Sequence, residues 1–303
     1  MIAIVVLYSL LALAFTLSKG VLDYSSPVWF TGIRMLIAGI LLVSYHCVIQ
    51  KRSWKIQRAD VYKFLLLGVF HIYCAYVFEF WALETVSAAK DALFFNMTPF
   101  ITALLALMLC NERLSWQQWG GLALGFIGFL PLLYAQSPAE TMIGHSHIFS
   151  WPELYLLIAV TGSSYGWILL QKLINHHTYE AIFANGVAML LGGAGALVTA
   201  LITEPTMVRM PHPDMLWSDS VYYICWYLFI MILLTNVICY TLYGRLLKVY
   251  SATFMALAGA TVPIFTAIFD WLLFDLTVSW HFVATVIIVF IGLAIFYADE
   301  MKK

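Results

Sequence analysis

Ten long apolar segments divide this chain and constrain its fold more than any other feature. They span residues 2–22, 27–49, 61–83, 87–109, 116–135, 152–174, 180–203, 221–244, 251–274 and 280–298. A helix needs about 20 residues to cross roughly 30 Å of hydrocarbon, and a lone segment in lipid must satisfy its own backbone hydrogen bonds. The segments lack the period-two alternation of a β-barrel. The sequence therefore predicts an all-α membrane protein with ten transmembrane helices.

Composition excludes several other classes of protein. Apolar residues make up 63% of the chain and charged residues only 10%, whereas an average soluble domain carries about 25% charged residues. A soluble enzyme or a disordered tail is therefore excluded. The 15 basic and 16 acidic residues leave no basic face for nucleic acid. No GxxxxGK[ST] motif occurs, so neither ATP hydrolysis nor a cofactor is expected.

The cysteines and histidines give no sign of a disulfide or metal site. The five cysteines have no CxxC or other paired spacing and are interpreted as apolar fillers. His145, His147, His176 and His177 lack acidic or cysteine ligands at metal spacing, so no metal is expected. No basic residue precedes the first segment, which is interpreted as a retained span rather than a signal peptide.

The distribution of lysine and arginine predicts the orientation. With the N-terminus in the cytoplasm, eleven of these residues lie on the cytoplasmic side and three on the far side, with Arg34 inside a span. The three on the far side are Lys19, Lys90 and Arg209. This asymmetry satisfies the positive-inside rule. We predict a multi-pass inner (plasma) membrane protein with both termini in the cytoplasm.

An internal repeat relates the two halves of the chain. Residues 87–103 align without a gap to residues 251–267, an offset of 164 with seven identities in seventeen positions, including Pro99 with Pro263. Tyr76 aligns with Tyr240 at the same offset. The offset maps the fourth segment onto the ninth, so the repeat unit has five helices. Because five is odd, the second copy enters the membrane upside down, as in many secondary transporters.

The repeat predicts two units with a loop between them. We expect a first five-helix repeat over residues 1–135, an outer loop over 136–151 and a second five-helix repeat over 152–303. In such architectures the substrate lies near the midplane, between the halves. Four glycines in the fifth segment, Gly120, Gly121, Gly125 and Gly128, favour close helix packing. Packing inside the chain is preferred for them, and a homodimer is kept open.

At this point the sequence resembles the EamA-type branch of the drug/metabolite transporter superfamily, over essentially the whole chain. The marks are the stretch SAAKDALFFNMTPFITALLAL, the ending Asn111-Glu112-Arg113-Leu114, which is similar to the family's GERL, Lys19, and Pro27, Phe30 and Arg34. The second copy departs from the pattern, because Phe274-Asp275-Leu276-Thr277 stands where GERLT is expected. The resemblance implies a ten-helix carrier of amino acids, S-adenosylmethionine, other metabolites or drugs.

Ionisable residues inside the predicted spans are the first candidates for a substrate site. A charge at the centre of a spanning helix costs about 2.5–3.5 kcal/mol, so such residues normally face a protein interior or a wet cavity. Arg34, Glu79, Lys90, Asp91 and Asp270 are predicted in the outer half of the membrane, and His71 near the midplane.

These residues indicate a cavity that carries both signs of charge. Arg34 and Lys90 suit a carboxylate or phosphate, and Glu79 and Asp91 suit an ammonium or sulfonium group. Aromatic faces for a cation or a flat ring come from Trp29, Trp81, Phe94, Phe95, Trp167 and Tyr240. The alternative is an internal ion-pair network with a structural role. Asn96, Asn185 and Asn236 are intramembrane amides that suit either substrate contact or helix packing.

Three further features bear on coupling and movement. Glu79 is the candidate for proton coupling, because a carboxyl group can change protonation when it is desolvated. His71 titrates near neutrality, although a hydrogen-bonded core histidine is the preferred interpretation. Pro99 and Pro263 are expected to kink the fourth and ninth helices and to free the carbonyls of Phe95 and Gly259.

The sequence favours a secondary transporter that works by alternating access on a small amphoteric metabolite such as an amino acid or S-adenosylmethionine. An exporter of hydrophobic cations or drugs is the alternative within the class, and a non-transporting membrane receptor is the alternative outside it. An enzyme is not expected. Gly162-Ser163-Ser164-Tyr165-Gly166 fits the GxSxG elbow, but it lies inside an apolar segment and lacks the strand that the elbow needs.

Overall fold

Helices account for the fold of this chain wherever its structure is described. The computed structural model describes residues 2–110, 115–128, 150–176, 179–210, 216–250, 255, 258–275 and 280–300. These residues form α1 (Ile2–Val21), α2 (Pro27–Ile49), α3 (Arg58–Leu83), α4 (Ala88–Phe95), α5 (Thr98–Cys110), α6 (Trp116–Gly128), α7 (Trp151–His176), α8 (Ala181–Thr203), α9 (Trp217–Leu246), α10 (Gly259–Phe274) and α11 (Trp280–Glu300). The one bridge between extended residues in these ranges joins Ser25 to Val208.

Each of the ten apolar segments contains helix, and six of the described helices are long and apolar enough to cross a membrane. These six are α1, α2, α3, α7, α8 and α9. The all-α fold is thus confirmed, while the count of ten crossings stays a prediction. The Asn111–Leu114 motif, residues 136–149 of the expected outer loop and Leu276-Thr277 lie outside the described residues.

The fourth segment is two helices rather than one kinked helix. α4 ends at Phe95 and α5 begins at Thr98, so Pro99 lies in the first turn of a new helix, where its missing N–H breaks no backbone bond. The Thr98 hydroxyl donates to the carbonyl oxygen of Phe95 at 2.5 Å. Pro263 occupies a comparable place, because α10 opens with the 3₁₀ turn Gly259–Thr261 and its α-helical part begins at Val262, with Pro263 in the first turn. Both prolines start helices instead of bending them.

Two π-helical stretches interrupt α3 and α9 at related places. They are Leu67–Cys74 in α3 and Ile232–Cys239 in α9. Tyr76 follows the first stretch by two residues, and Tyr240 follows the second directly. Such π-helical turns are frequent at functional sites, because they locally redirect side chains.

The packing of the helices is approximately symmetric: helices of the first half and their counterparts in the second half make corresponding contacts. In the order of the helices along each half, α1 corresponds to α7, α2 to α8, α3 to α9, α4 with α5 to α10, and α6 to α11. The pairs α2–α8, α4–α10 and α6–α11 pack against their own counterparts. α1 packs against α10, and its counterpart α7 correspondingly packs against α4 and α5. Likewise, α3 packs against α7, and its counterpart α9 packs against α1. These are the pairings that a twofold axis between the halves would produce.

Glycines bring two of these pairs into backbone contact. A Cβ placed on Gly39 of α2 would lie 2.9 Å from the carbonyl oxygen of Gly186 in α8. A Cβ placed on Gly121 of α6 would lie 2.6 Å from the backbone nitrogen of Phe296 in α11. Gly125 and Gly128 of α6 are similarly close to residues of this chain, whereas Gly120 has nothing within 4 Å. The glycine face of α6 therefore packs inside the chain, as expected.

Glu204, which follows α8, caps the N-terminus of α2. Its carboxylate accepts from the backbone N–H groups of Val28 at 3.1 Å and Trp29 at 3.0 Å, which have no partner within their own helix. The indole N–H of Trp29 donates to the backbone oxygen of Glu204 at 3.1 Å. Burial raises the pKa of the Glu204 carboxyl, and the two amide donors oppose that rise.

Candidate functional site

A cavity lies between the two halves of the chain and is lined by α1, α2, α3, α4, α5, α7, α9 and α10. The space between its lining atoms, including its mouth, is about 880 Å³. Six of the candidate substrate-site residues from the sequence line it: Arg34, Glu79, Phe95, Asn96, Trp167 and Tyr240. The cavity thus collects side chains from both copies of the repeat around one space.

Arg34 is the cation of this cavity, and its guanidinium is held by aromatic rings. The residue is fully buried. Its Cζ lies 4.9 Å from the ring centre of Tyr76, 5.2 Å from that of Phe80 and 5.8 Å from that of Phe30. Cation–π contacts of this kind hold a guanidinium without occupying its hydrogen-bond donors.

The donors of Arg34 are largely unused. Nη1 donates to the sulfur of Met231 at 3.6 Å, while Nε and Nη2 have no hydrogen-bond partner among the described residues. Buried arginine donors normally find acceptors. Nε and one terminal nitrogen form the fork that binds a carboxylate through two parallel bonds. Arg34 therefore presents a ready receptor for a carboxylate.

Two buried carboxyl groups, Glu79 and Asp91, belong to α3 and α4. Glu79 lines the cavity and is attracted electrostatically by Arg34. Asp91, in the first turn of α4, is fully buried, and neither of its oxygens has a hydrogen-bond partner among the described residues. It repels Glu79 electrostatically and is attracted by Lys19. Asp91 does not line the cavity.

Aromatic rings form another part of the cavity. Trp167 stacks on Tyr243 with ring centres 3.9 Å apart and lies 5.3 Å from the ring of Tyr240. Tyr8 meets Tyr243 edge-on at 6.4 Å. All four rings line the cavity. Flat faces and phenol hydroxyls in one place suit an aromatic ring with polar edges.

Asn96 stands at the break between α4 and α5. Its side-chain amide donates to the carbonyl oxygen of Ala260 at 3.1 Å, which fixes its orientation toward α10. The residue also lines the cavity, so its amide oxygen is available to a bound molecule. Ala260 is the position related to Asn96 by the repeat offset of 164.

Three further candidates, His71, Asn236 and Asp270, do not line the cavity. His71 is buried, with its ring 4.4 Å from Trp167 and 5.5 Å from Tyr240. Asn236 is also buried, and its amide lies 3.1 Å from the sulfur of Met35. The Asp270 carboxylate accepts from the Thr16 hydroxyl at 2.7 Å.

Lys90 forms an ion pair between the halves. Its ammonium lies 2.7 Å from the carboxylate of Glu153 in α7, and both side chains are only 5% exposed. Glu153 also accepts from the hydroxyl and backbone N–H of Ser150. Sequence reasoning did not single out Glu153. The signal was available, because a buried Lys90 requires an opposite charge nearby.

The GxSxG stretch is helical throughout. Residues 162–166 lie inside α7, and the Ser164 hydroxyl donates back to the carbonyl oxygen of Val160 at 2.8 Å. A Cβ on Gly162 would lie 2.8 Å from the carbonyl oxygen of Phe70, and one on Gly166 would lie 2.4 Å from the Cβ of His71. These glycines allow α7 to approach α3. Among the described residues, no group of histidine, cysteine and acidic side chains is placed to hold a metal ion.

Comparisons with known proteins agree with this architecture. The model of the EamA-like transporter family matches residues 1–134 and 150–298. A solved crystal structure superposes with a TM-score of 0.66 at 16% identity, covering 99% of this chain and 96% of that chain. At that identity the likeness concerns the fold alone.

Several curated proteins are similar along nearly the whole chain. An S-adenosylmethionine/S-adenosylhomocysteine transporter of Chlamydia muridarum is 31% identical over 294 residues, which cover 96% of this chain and 89% of that protein. A protein of the same name from Chlamydia trachomatis serovar L2 is 28% identical over 295 residues, covering 96% of this chain and 86% of that protein. A chloroplastic WAT1-related protein of Arabidopsis thaliana is 25% identical over 263 residues, which cover 86% of this chain and 60% of that protein.

Proposed function

This chain belongs to the EamA-like transporter family, and on that premise we propose that it carries S-adenosylmethionine and S-adenosylhomocysteine across the membrane. It is a multi-pass membrane transporter of a small molecule. The proposed cargo rests on the names of the Chlamydia relatives and on the chemistry of the cavity. Both molecules combine an amino-acid end, a sulfur centre and an adenine ring.

The observation that carries the proposal is the unused donor edge of Arg34 in a cavity with stacked aromatic rings. Arg34 would hold the cargo carboxylate through two parallel bonds. Glu79 would face the ammonium or the sulfonium. The rings of Trp167, Tyr240 and Tyr243 would stack on the adenine, and the Asn96 amide would meet its polar edge.

Transport would require the two halves of the chain to move relative to each other. We infer two five-helix units, residues 1–135 and 152–303, that rock about the central cavity and open it to each side in turn. The Lys90–Glu153 pair joins α4 to α7, and the bond between Tyr76 and Tyr240 joins α3 to α9. Both link one unit to the other, so both would change between states. An inner-membrane location with cytoplasmic termini is part of the proposal.

Uptake by reconstituted vesicles tests this function. The purified protein is placed in vesicles loaded with S-adenosylhomocysteine, and entry of labelled S-adenosylmethionine is measured. Arg34→Gln should reduce uptake at least about tenfold, the effect of losing about 1.4 kcal/mol of binding. Arg209→Gln is the matched control, because Arg209 lies outside the cavity and pairs with the exposed Glu84; it should transport like the wild type.

Other outcomes would replace the proposal. Accumulation of a hydrophobic dye cation without either adenosyl compound would identify an exporter of hydrophobic cations. Binding without accumulation would identify a receptor. Equal uptake by the wild type and Arg34→Gln would remove Arg34 from the cargo site.

A further inference from the structure

A strongly basic segment joins α2 to α3, both of which are long and apolar enough to cross a membrane. Residues 51–58 contain no acidic side chain and four cations: Lys51, Arg52, Lys55 and Arg58. All four cations are exposed. Because the segment connects two membrane-spanning helices, it lies at the surface of the bilayer, within reach of the lipid headgroups.

This basic segment has a fixed conformation. Lys51, two residues after the end of α2, has a φ of 52°, the left-handed conformation that is found in turns. The backbone N–H of Arg52 donates to the carbonyl oxygen of His46 at 3.2 Å. Farther along, the backbone N–H of Gln57 donates to the hydroxyl of Tyr179 at 3.0 Å. The segment is therefore held against the residues that precede α8.

The acidic side chains that contact this region already have cationic partners. Glu180, which precedes α8, lies 2.6 Å from the guanidinium of Arg52. Asp60, which is buried in α3, lies 2.8 Å from the ammonium of Lys63. Three cations of the segment have no carboxylate of a described residue within ion-pair distance: Lys51, Lys55 and Arg58. Their charges remain available to an anion from outside the chain.

Exposed apolar and aromatic side chains flank these cations. Val48 and Ile49 at the end of α2 are 69% and 66% exposed, and Tyr62 near the start of α3 is 67% exposed. Trp54 is 52% exposed, and its ring meets that of Phe183 edge-on with centres 5.9 Å apart. Tryptophan and tyrosine concentrate at membrane–water interfaces. Cations beside such side chains match a phospholipid, which joins an anionic headgroup to acyl chains.

The two ends of the helix bundle differ in exposed charge. The end that carries the basic segment has three further exposed cations: Lys172, Arg245 and Lys248. The opposite end has four exposed acidic residues: Asp23, Glu84, Asp219 and Asp275. An anionic lipid is therefore attracted to the first end and repelled from the second.

We propose that Lys51, Lys55 and Arg58 bind the phosphate of an anionic phospholipid such as phosphatidylglycerol, in the leaflet at their end of the helices. Arg58 supplies a guanidinium, which can donate two parallel hydrogen bonds to a phosphate. The exposed ring of Trp54 and the side chain of Ile49 contact the lipid below its headgroup. This site is separate from the cavity, because none of these residues lines it, and it goes beyond the proposed transport function.

Energy transfer from tryptophan to a pyrene-labelled lipid measures the binding. The full chain is placed in phosphatidylcholine vesicles that contain a small fraction of pyrene-labelled phosphatidylglycerol, or of phosphatidylcholine with the same acyl chains. Each cation near an anionic lipid surface contributes roughly fivefold to binding, so we expect the wild type to prefer phosphatidylglycerol about 10- to 100-fold. High salt should remove most of this preference, because it screens exposed charges.

Two triple variants locate the site. Lys51→Gln combined with Lys55→Gln and Arg58→Gln should lower the preference to less than about threefold, the loss expected from removing three contacts of this strength. The matched control combines Lys172→Gln, Arg245→Gln and Lys248→Gln, which removes the same charge from the same end; it should keep the wild-type preference. Equal losses in the two triple variants would overturn the site, because the general charge of this end would then explain the binding.

The wild type alone decides if the first triple variant does not fold. Equal energy transfer to the two labelled lipids would overturn the proposal. Displacement of labelled phosphatidylglycerol by millimolar inorganic phosphate would also overturn it, since the site would then take a soluble anion. These results leave the proposed transport function intact, because cargo uptake is measured separately.

Discussion

The phenol oxygens of Tyr76 and Tyr240 lie 2.6 Å apart, and the two residues are separated by 164 positions, the offset of the internal repeat. Residues related by a twofold axis contact each other only where they lie near that axis. Asn96 and Ala260 have the same separation and are also hydrogen-bonded, at 3.1 Å. Both contacts lie at the cavity, so the proposed cargo site would coincide with the axis between the halves.

Removing one of the paired hydroxyls should destabilise the protein. Tyr76→Phe or Tyr240→Phe leaves the other hydroxyl in a buried place without its partner, at a cost of about 1–3 kcal/mol. The double variant should cost less than the sum of the two single variants, because it leaves no orphaned hydroxyl. Thermal unfolding in detergent measures all three. Additive losses would show that the bond contributes nothing to stability.

Replacing one partner of the ion pair between α4 and α7 should lower stability more than replacing both partners. Glu153→Gln leaves the ammonium of Lys90 buried without its counter-ion, at a cost of about 3–5 kcal/mol. The double variant Lys90→Met with Glu153→Met should recover most of that loss, since neither charge remains. Unfolding temperatures of the three proteins give the comparison. A double variant as unstable as Glu153→Gln would contradict this account.

The two neighbouring glycines of α6 should respond in opposite ways to alanine. Gly121→Ala should destabilise by about 1–3 kcal/mol, because the new Cβ meets the backbone of α11. Gly120→Ala meets nothing within 4 Å and should be neutral or stabilise by up to about 1 kcal/mol through helix propensity. Thermal unfolding of the two variants checks this, and equal effects would mean that α11 does not pack on α6.

Loss of the Glu204 cap should loosen the start of α2. Glu204→Ala removes the acceptor for the N–H groups of Val28 and Trp29 and should cost about 1 kcal/mol. Glu204→Gln keeps a carbonyl acceptor and should cost less. Hydrogen exchange at the first turn of α2 should speed up in the alanine variant. Unchanged exchange there would show that solvent caps the helix equally well.

A cargo analogue without its carboxylate tests the role of Arg34 directly. The wild type should bind decarboxylated S-adenosylmethionine about 10- to 100-fold more weakly than the parent, since a charge-assisted hydrogen bond contributes about 1.5–3 kcal/mol. Arg34→Gln should bind both with similar affinity. Displacement of labelled cargo measures each affinity. Equal preference in the wild type and the variant would place the carboxylate elsewhere.

The sequence predicted the helical fold and part of the site, because both follow from strong local signals. Apolar length determined the helices, and an isolated intramembrane charge such as Arg34 identified a buried polar space. The burial of Lys90 called for an opposite charge nearby, but the choice of Glu153 as that partner depends on how α4 meets α7. The sequence predicted a kink at Pro99, whereas the helix breaks at Asn96. A proline alone does not show where the preceding helix ends.

The rotation and packing of the helices, which the sequence does not show, determine which polar residues line the cavity. Asn236 and His71 lie in the same helices as lining residues, and only the helix rotation turns them toward Met35 and Trp167. Tyr8 and Tyr243 were missed because an aromatic residue in an apolar span resembles ordinary core. Their stacking around Trp167 becomes visible only when α1, α7 and α9 are brought together.

The contact of α2 with α8 limits how the halves can reorient. With Gly39 against the carbonyl of Gly186, and Gly193 of α8 against the backbone of α2 near Leu36, the two helices touch backbone to backbone at these glycines. We expect them to keep their register throughout the cycle and to serve as a fulcrum. On either side of the membrane, the entrance to the cavity should then form between helices other than α2 and α8.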